Sequence, residues 1–409
     1  MKNREVAIVS TGIHPWGKWP DKSQSEMAVE AIDIALKKAN MSWREIEFIC
    51  SGSPLWVADK EGLNSNLSGT AIEALMGGIG APVISTTNAC ATGTATLFNA
   101  CLAVASGEFD IALAVAGDKS AGGFFRPQSR DAKFDLDFQR FVMTGESNPA
   151  YWACEVRKRM QDVGTTEDDL AQVKVLTSQG APGFQYARYK KTFTKEEVLN
   201  SPMVCDPLHL LEICAVSDGA GAVIVMPLDK AKKYTKKPVL VEGVTVATSL
   251  YGDQTIPLYN LSAYPRPGMT ILTESRKSVE RVFKMAKRDY PHRRLPEDID
   301  MIELPDNSSW HYLVYLDCIL DLKPGEAEKM IRKGETNLVD GKLPVCPSGG
   351  FGSTGEAVAA QGLLQITSCV EQLRGEAGGC QLKKDVKVAF AQTYGYAGNN
   401  AACLLSRAW

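Results

Sequence analysis

The hydrophobic positions form short continuous runs, typical of buried strands, that alternate with longer stretches of helical spacing. They predict strands at residues 6–10, 47–50 and 110–116, and helices at residues 25–39 and 69–76. Ser25 stands just before the apolar face of the first helix and is its predicted N-cap. The strand at residues 110–116 is apolar throughout, which favours burial on both faces. Strands and helices that alternate in this way predict an α/β fold.

The second half of the chain repeats this order of elements. Residues 279–286 resemble the start of the first helix, residues 299–302 resemble residues 46–49, and residues 385–391 resemble the strand at residues 110–116. The repetition predicts duplicated α/β halves, and the alternative is a chance similarity of short apolar strands. In a duplicated fold the active site lies between the halves. Three loops of the second half are therefore predicted to face the first, at residues 304–310, 346–356 and 392–398.

Residues 119–201 interrupt the pattern. Charged and aromatic residues crowd residues 124–141, helices are predicted near residues 149–161 and 166–177, and a strand returns at residues 216–225. The predicted division is residues 1–118, the first part of an N-terminal half; residues 119–201, an inserted loop domain; residues 202–235, the rest of that half; and residues 236–409, a C-terminal half.

Cys90 falls where a short apolar strand meets a run of small and apolar residues typical of a buried helix. A thiol at a helix N-terminus meets unpaired N–H groups and the positive end of the helix dipole, which favour the thiolate. The small neighbours Ala89, Ala91 and Gly93 leave room for a substrate carbonyl beside the sulfur. Cys90 is therefore a candidate nucleophile, and a buried structural cysteine is the alternative.

Charge and composition narrow the class of partner. The chain has 409 residues, a formal net charge of -3 and no long Lys/Arg blocks, which argues against nucleic acid or a membrane surface. No apolar run approaches the roughly 18 residues of a membrane span, and the polar N-terminus does not resemble a signal peptide. The 11 cysteines include no C-x-x-C pair, which favours reduced thiols. We therefore expect a cytoplasmic protein that acts on small molecules and holds no metal.

Four motifs now become informative together: Asn88-Ala89-Cys90 with Gly93, Val216-Ser217-Asp218-Gly219-Ala220, Pro347-Ser348-Gly349-Gly350 with Gly355, and the glycine-rich approach to the C-terminal strand around Gly395. Over nearly its full length the chain resembles a thiolase of the sterol-carrier-protein-X-like kind. The resemblance implies two five-stranded α/β halves in a five-layer αβαβα arrangement with an inserted loop domain. It also implies an acyltransferase that cleaves a 3-ketoacyl-CoA with CoA, or runs the reverse condensation, and that is at least a dimer.

The chain departs from that family at three motifs. Thiolases of this type place a histidine after the Ser-Gly-Gly motif, and Glu356 stands at that position here. Their third motif holds Asn or His where this chain has Pro305. Their C-terminal Cys-x-Gly, or His-Asn-x-Gly in the lipid-type branch, matches residues 392–395, of which Gly395 is retained. His311 is the histidine nearest a motif, and we expect it to be solvated or to cap a helix.

The resemblance and the departures together predict a mechanism. Glu356, with a pKa raised by burial, takes the proton of Cys90, which attacks the keto carbon. The backbone N–H groups of Cys90 and Gly395 hold the oxyanion, and the acyl group then passes to CoA. Thiolases stabilise the enolate with the histidine and an Asn-bound water, so this chain needs another group, either the substrate's own or Cys346, for which a buried thiol is the alternative. Asp306 is a further secondary candidate. CoA is a substrate, and no permanently bound cofactor is expected.

Two other functions stay open at this point. One is a non-catalytic or partner-dependent thiolase-like subunit, since most of the family's catalytic residues are replaced. The other is a condensing synthase of the same fold, which would normally bring a histidine to the loops of the second half. An acidic replacement beside a retained elbow cysteine favours altered chemistry over loss of function.

The substrate and partners are inferred more indirectly. Aromatic and arginine residues between residues 124 and 152 favour a bulky or aromatic acyl chain, although ordinary loop packing explains them equally well. The lipid-type branch includes thiolases of aromatic degradation that resemble benzoylsuccinyl-CoA thiolase, and some work with a small partner of zinc-ribbon and OB-fold type. Candidate contacts for substrate or CoA are Arg188, Lys190, Lys191, Ser217 and Ser348. Solvated surface charge is the alternative for the basic cluster.

Overall fold

The computed structural model describes residues 4–53, 68–119, 147–248, 250, 272–289, 299–395 and 398–409. Its strands are β1 (Val6–Gly17), β2 (Phe48–Gly52), β3 (Val83–Thr86), β4 (Ala112–Asp118), β5 (Met203–Cys205), β6 (Leu208–His209), β7 (Asp218–Pro227), β8 (Val239–Thr248), β9 (Met301–Glu303), β10 (Val388–Gly395) and β11 (Asn399–Arg407). Its α-helices are α1 (Gln24–Ala39), α2 (Ser68–Met76), α3 (Thr92–Ser106), α4 (Asn148–Val163), α5 (Glu167–Ser178), α6 (Lys195–Leu199), α7 (Leu228–Tyr234), α8 (Thr273–Met285), α9 (Ser309–Ile319), α10 (Glu326–Arg332), α11 (Phe351–Thr354) and α12 (Gln361–Arg374).

The sheet repeats its topology about its centre. Nine described strands follow the order β3-β2-β4-β7-β1-β8-β11-β10-β9. The halves meet where β1 pairs with β8 at two positions, Ala7 with Leu240 and Ile8 with Val239. Outward from this junction, β1-β7-β4-β2 matches β8-β11-β10-β9 in chain order, and a parallel bridge joins Ile302 to Val345 where β3 has its counterpart. The predicted duplication is confirmed, although the two sheets are continuous rather than separate.

Side-chain alternation along these strands builds the three largest hydrophobic cores of the described residues, because successive residues of a strand point to opposite faces. In the first half, Ala7 lies on the face covered by α1, whereas Ile8 lies on the opposite face. The core under α1 includes Ala7, Val9, Ile32, Leu113 and Ile224. The middle core includes Ile8, Leu97, Ala114, Val223, Leu363, Ala389 and Cys403, from both halves. The core under α8 and α9 includes Val282, Leu316, Phe390 and Leu404.

The middle core encloses α3 and α12 between the two halves of the sheet, which gives the predicted αβαβα layers. These two helices approach closely at glycines. A Cβ atom at Gly93 would lie 2.9 Å from the Ala359 carbonyl oxygen, and one at Gly362 would lie 2.2 Å from the Thr94 hydroxyl. Only glycine permits such an approach. The start of α3, and with it the Cys90 turn, is therefore held against the second half.

The central position of α3 corrects one sequence expectation. Ala89–Ser106 is long and apolar enough to cross a membrane by length and composition, contrary to the expectation that no run approaches that length. Most of this segment is buried inside the protein. A helix packed between two sheets contacts apolar side chains on all sides, so its composition resembles that of a membrane span.

The start of α1 corrects another expectation. The N-cap is Ser23 rather than Ser25, which is buried. The Ser23 hydroxyl accepts from the Glu26 N–H at 3.1 Å, and the Glu26 carboxylate accepts from the Ser23 N–H at 2.7 Å. This reciprocal pair satisfies two N–H groups that the first helical turn leaves open, which Ser25 does not do. The helices predicted near residues 149–161 and 166–177 are present as α4 and α5. The four-part division of the chain remains a prediction.

We expect the protein to be a homodimer in which β3 pairs with β3 of a second copy. In the described part of the chain β3 is the last strand of the sheet, and Ile84 on it is 48% exposed. An exposed apolar edge strand is readily extended by another chain. Ile84→Lys places a charge there and should shift the protein, by light scattering, toward the monomer of 44.4 kDa. Val339→Lys, at an exposed site away from β3, is the matched control. A parent protein that is monomeric at micromolar concentration would contradict the expectation.

Candidate active site

Cys90 lies in a tight turn between β3 and α3, at the predicted join. The Ala91 N–H donates to the Asn88 carbonyl at 3.0 Å, and the Thr92 hydroxyl donates to the Ala89 carbonyl at 2.6 Å. The same hydroxyl accepts from the Asn88 N–H at 2.8 Å. Ala89 has a φ of 48°, in the left-handed region that a side chain of this size only just tolerates. The turn is therefore locked, and it holds the buried Cys90 directly before the helix.

Glu356 brings a carboxyl group from the second half to this thiol. It follows α11, is 2% exposed, and accepts side-chain hydrogen bonds from Cys90, Cys214 and Asn307. The distance from Cys214 Sγ to Glu356 Oε2 is 3.1 Å. Burial raises the pKa of Glu356, and the three hydrogen bonds oppose that rise. A carboxylate in this setting is a stronger base than an exposed one.

Cys214 and Asn307 are site residues that the sequence reasoning missed. The Cys214 N–H donates to the Asn307 carbonyl at 2.9 Å, so the segment before β7 runs beside the loop after β9. Asn307 lies in the loop at residues 304–310 that was predicted to face the site, two positions beyond Pro305. Its position next to an acidic residue in that loop could have identified Asn307 as a site residue. For Cys214 the sequence offered no such feature beyond its closeness to the motif that begins at Val216.

Gly395 lies at the end of β10 and touches the Cys90 turn. A Cβ atom there would lie 2.7 Å from the Asn88 carbonyl oxygen and 3.2 Å from the Ala91 nitrogen. The residue must be glycine for the two backbones to approach this closely. The structure thus brings Cys90, Glu356 and Gly395 close together, and their catalytic roles remain a prediction. The oxyanion role of the Gly395 N–H remains a prediction.

The secondary candidates brace the loop that carries Glu356. The Asp306 carboxylate accepts from the Phe351 N–H at 2.7 Å, and burial raises its pKa to about 6. Ser348 donates from its N–H and its hydroxyl to Glu303, at 3.1 and 2.9 Å. Cys346 is fully buried and donates to the Leu304 carbonyl at 3.6 Å, which fits the buried-thiol alternative.

The basic candidates divide into two groups. The Arg188 guanidinium donates to the Val216 carbonyl at 2.6 Å and to the Ser217 hydroxyl at 3.3 Å. Ser217 is itself tied to the Glu356 turn, because its N–H donates to the Glu356 carbonyl at 2.9 Å. Lys190 and Lys191 are exposed, and Lys191 pairs with Glu197 at 2.9 Å. These contacts favour solvated charge for the two lysines, and a role in CoA binding remains a prediction.

Of the two roles expected for His311, solvated or capping a helix, the solvated one is wrong. It is 2% exposed, and its ring lies 4.8 Å from that of Trp152 and 4.6 Å from that of Trp310. Its Nδ1 contacts the hydroxyl of Ser308, the N-cap residue of α9, at 2.9 Å. Burial lowers the pKa of His311 to about 3, so the ring is neutral at physiological pH. An aromatic pocket without a carboxylate partner accounts for its burial in this form.

Of the aromatic and arginine residues predicted to face the substrate, the structure describes Tyr151 and Trp152. Tyr151 and Trp152 belong to the core under α9, where Tyr151 packs against Trp310 at 6.2 Å, so they do not line an open surface. The other members lie outside the described residues: Phe124, Phe125, Arg126, Phe134, Phe138, Arg140 and Phe141.

Lys174 places a cation beside the site that the sequence gave no reason to expect. It is 4% exposed, and its ammonium donates to the Gly352 carbonyl at 2.6 Å. Burial lowers the pKa of Lys174 to about 8, while the nearby Asp306 and Cys214 oppose that fall electrostatically. The described residues contain no group of three or more His, Cys, Asp or Glu side chains that could hold a metal ion.

Comparisons with known proteins agree with this arrangement. A family described as "Thiolase C-terminal domain-like" matches residues 259–407. The acetyl-CoA acetyltransferase of Methanothermobacter thermautotrophicus is 30% identical over 98% of this chain and 98% of its own length. The chain belongs to the thiolase family. It is accordingly an enzyme of the acyltransferase class.

Other relatives place this thiolase near the lipid-transfer-type members. The benzoylsuccinyl-CoA thiolase subunit BbsB of Thauera aromatica is 30% identical over 82% of this chain and 82% of its own length. Bovine sterol carrier protein 2 is 28% identical over 97% of this chain and 71% of its own length. These matches confirm the predicted resemblance.

Two solved structures share the fold over the whole chain. The Ltp2-ChsH2(DUF35) aldolase has a TM-score of 0.81 at 22% identity and covers 100% of this chain and 99% of that one. Human mitochondrial 3-ketoacyl-CoA thiolase has a TM-score of 0.70 at 15% identity, with 100% of both chains covered. At these identities the likeness concerns the fold alone.

We expect Cys90 to be the most reactive thiol toward iodoacetamide at pH 7. All eleven cysteines are reduced thiols, and only Cys154 and Cys205 are partly exposed. Burial raises the pKa of other thiols, that of Cys101 to about 12, whereas the turn places Cys90 at a helix N-terminus. In a Cys154→Ser, Cys205→Ser background, peptide mapping should find Cys90 labelled first.

A matching protein that also carries Cys90→Ser should take up label far more slowly. Modification of other cysteines while Cys90 stays unmodified would contradict its assignment as the nucleophile.

Proposed function

We propose that this thiolase cleaves a 3-ketoacyl-CoA with CoA through an acyl group on Cys90, and that Glu356 is the base. The observation that carries the proposal is the hydrogen bond from the Cys90 thiol to the buried Glu356 carboxyl group. It joins a nucleophile from the first half to a base from the second, which is the nucleophile–base pairing that covalent catalysis requires.

The steps follow from that pair. Glu356 takes the proton of Cys90, and the thiolate attacks the keto carbon of the substrate. The backbone N–H groups of Cys90 and Gly395 hold the oxyanion. Cleavage of the carbon–carbon bond leaves the acyl group on Cys90 and releases the enolate of an acyl-CoA. The enolate is then protonated at its α-carbon at the net expense of the proton on Glu356, which returns Glu356 to its carboxylate form. CoA next gives its proton to Glu356 and attacks the thioester, and Glu356 passes that proton to the departing Cys90.

The non-catalytic alternative has less support. Glu328 is a buried carboxyl group paired with a cation, Arg159, at 2.6 Å, and that pairing favours its ionised form. Glu356 instead accepts from two thiols and an amide, which leave it free to gain a proton. The synthase alternative calls for a histidine in the loops of the second half, and in the part of the chain that the structure describes His311 packs among aromatic rings instead.

We infer a bulky or aromatic acyl chain of the benzoylsuccinyl-CoA kind, on the strength of the similarity to BbsB. The acetyl-CoA acetyltransferase relative, equally identical, favours a short chain instead. Purified protein given CoA with either benzoylsuccinyl-CoA or acetoacetyl-CoA separates the two, with the thioester products identified by mass spectrometry. Cleavage of acetoacetyl-CoA alone would overturn the inference.

A small partner subunit of zinc-ribbon and OB-fold type is a further part of the proposal. BbsB is named as a subunit, and the Ltp2 aldolase is named together with ChsH2(DUF35). Purification from the native source, followed by mass spectrometry and zinc analysis, should recover such a partner at a fixed ratio. Full activity of the isolated chain would show that the partner is dispensable.

Glu356→Gln should lower turnover by about 10² to 10⁴ with the fold intact, because glutamine keeps the shape but cannot take a proton. Since burial raises the pKa of Glu356, the parent should lose activity on acidification at a pH above the usual glutamate value of about 4.3. Turnover measured against pH should show this acid limb in the parent and not in the variant.

Glu371→Gln is the matched control. Glu371 is also buried with a raised pKa, but it accepts from the Tyr186 hydroxyl at 2.8 Å, away from the Cys90 turn. Turnover in this variant should stay near that of the parent. If Glu356→Gln turned over as fast as the parent, the glutamate would be structural and the base would lie elsewhere.

A further inference from the structure

Cys214 presents a second thiol to the carboxyl group that serves Cys90. Its Sγ lies 3.1 Å from Glu356 Oε2, and Cys90 donates to the same carboxyl group. Cys214 is 4% exposed and Cys90 5% exposed, and the two thiols are close enough to interact electrostatically. One buried carboxyl group therefore connects two thiols, and a proton can pass between them through it.

Backbone hydrogen bonds on both sides fix the position of Cys214. Its N–H donates to the Asn307 carbonyl at 2.9 Å, and the next residue, Ala215, accepts from the Glu356 N–H at 2.6 Å. Isolated bridges join Ile213 to Ser308 and Val216 to Glu356. The backbone of Cys214 is thus fixed between the two loops that complete the site, and this fixes the position of its thiol.

Asn307 supplies a second sign of a ligand at this point. Its side chain is 2% exposed and hydrogen-bonds the Glu356 carboxyl group. Its Oδ1 has no hydrogen-bond partner among the residues that the structure describes. A buried polar atom is rarely left unsatisfied, so this oxygen calls for a donor from a bound water or substrate.

The proposed reaction also needs a proton donor for the substrate's α-carbon, in addition to the Cys90–Glu356 pair that activates the nucleophile. Cleavage leaves an enolate, and the positions matching the family's usual residues are Pro305 and residues 392–395, with neither histidine nor cysteine. Burial raises the pKa of Cys214 well above that of a free thiol, so its resting form carries a proton. A protonated group near the reacting carbon is what a general acid requires.

We propose that Cys214 is the general acid that protonates the enolate during carbon–carbon cleavage. The inference rests on the proposed function. The Cys90 proton passes to Glu356 as the sulfur attacks, and the Cys214 proton passes to the α-carbon as the enolate departs. Glu356 then returns its proton to the Cys214 thiolate. Cys90 ends as the thioester, one acyl-CoA leaves, and Glu356 and Cys214 regain their starting forms, so no proton is gained or lost.

Lys174 stabilises the short-lived Cys214 thiolate. Its buried ammonium group interacts electrostatically with Cys214 and with Asp306. A cation in a poorly solvated site lowers the free energy of a nearby anion more than it would in water. In the reverse direction the same thiolate removes the α-proton of an acyl-CoA, so one residue serves both directions.

The test separates acyl transfer from proton transfer at carbon. Exchange of labelled CoA into acetyl-CoA or benzoyl-CoA needs Cys90 and Glu356 only. Exchange of the α-protons of acetyl-CoA or succinyl-CoA with D₂O, followed by mass spectrometry, needs the acid–base group at the α-carbon. Cys214→Ser should slow the second reaction, and 3-ketoacyl-CoA cleavage, by about 10² or more, and change the first by less than about tenfold.

Controls keep the outcomes distinct. Cys369→Ser, at a buried thiol in the middle core, should leave both exchanges unchanged, and circular dichroism checks that each variant is folded. Equal loss of both exchanges in folded Cys214→Ser, or no loss of either, would overturn the role of Cys214. A parent protein without Cys90-dependent CoA exchange would instead overturn the proposed function itself.

Discussion

The buried carboxyl group of Glu356 is the constraint on which the site depends. Removal of a carboxylate from water is costly unless several donors replace the lost solvent. Here the donors are Cys90, Cys214 and Asn307, and none of these is a cation. Glu328 shows the opposite solution in the same protein: Arg159 holds it at 2.6 Å, and its hydrogen bonds and charge outweigh burial to lower the pKa of Glu328. Weak donors leave Glu356 able to exchange a proton, whereas a strong ion pair fixes Glu328 as an anion.

The fold supplies those donors from separate parts of the chain. Cys90 comes from the turn before α3, Cys214 from the segment before β7, and Asn307 and Glu356 from loops of the second half. They meet only because the duplicated halves enclose α3 and α12, whose glycines let the helices approach within contact distance. A side chain at Gly93 or Gly362 would push the halves apart and separate the Cys90 thiol from Glu356. The site residues can therefore meet only if the middle core is packed correctly.

Sequence periodicity was sufficient for most elements, since the three cores need apolar residues on alternate faces of every inner strand. The resemblance to thiolases also grouped Cys90, Glu356 and Gly395 as candidates for one site. What the sequence could not supply were contacts made across the folded chain. The residues next to Cys214 and Lys174 in the sequence give no sign of a special role. Their shifted pKa values result from burial and from groups that are distant in the sequence. The prediction that His311 is solvated failed for the same reason, because the aromatic rings around it come from α4, α9 and β10. The length of the apolar run in α3 was underestimated. Because this helix is buried on most sides, its composition is as apolar as that of a membrane-spanning helix.

The residues that depart from the family pattern form a connected hydrogen-bonded set, which favours altered chemistry over loss of function. Pro305 has no N–H and no polar side chain, so it cannot replace an asparagine or histidine. Two residues further along the same loop, the Asn307 side chain hydrogen-bonds the carboxyl group of Glu356, which occupies the position matching the family's histidine. Cys214 adds a thiol from a segment outside the motifs that usually provide one. A site under no functional demand has no reason to gather two thiols and an amide around one buried carboxyl group, because an apolar side chain at position 356 would be less costly to bury. The cost of burying Glu356 is thus an argument for its use.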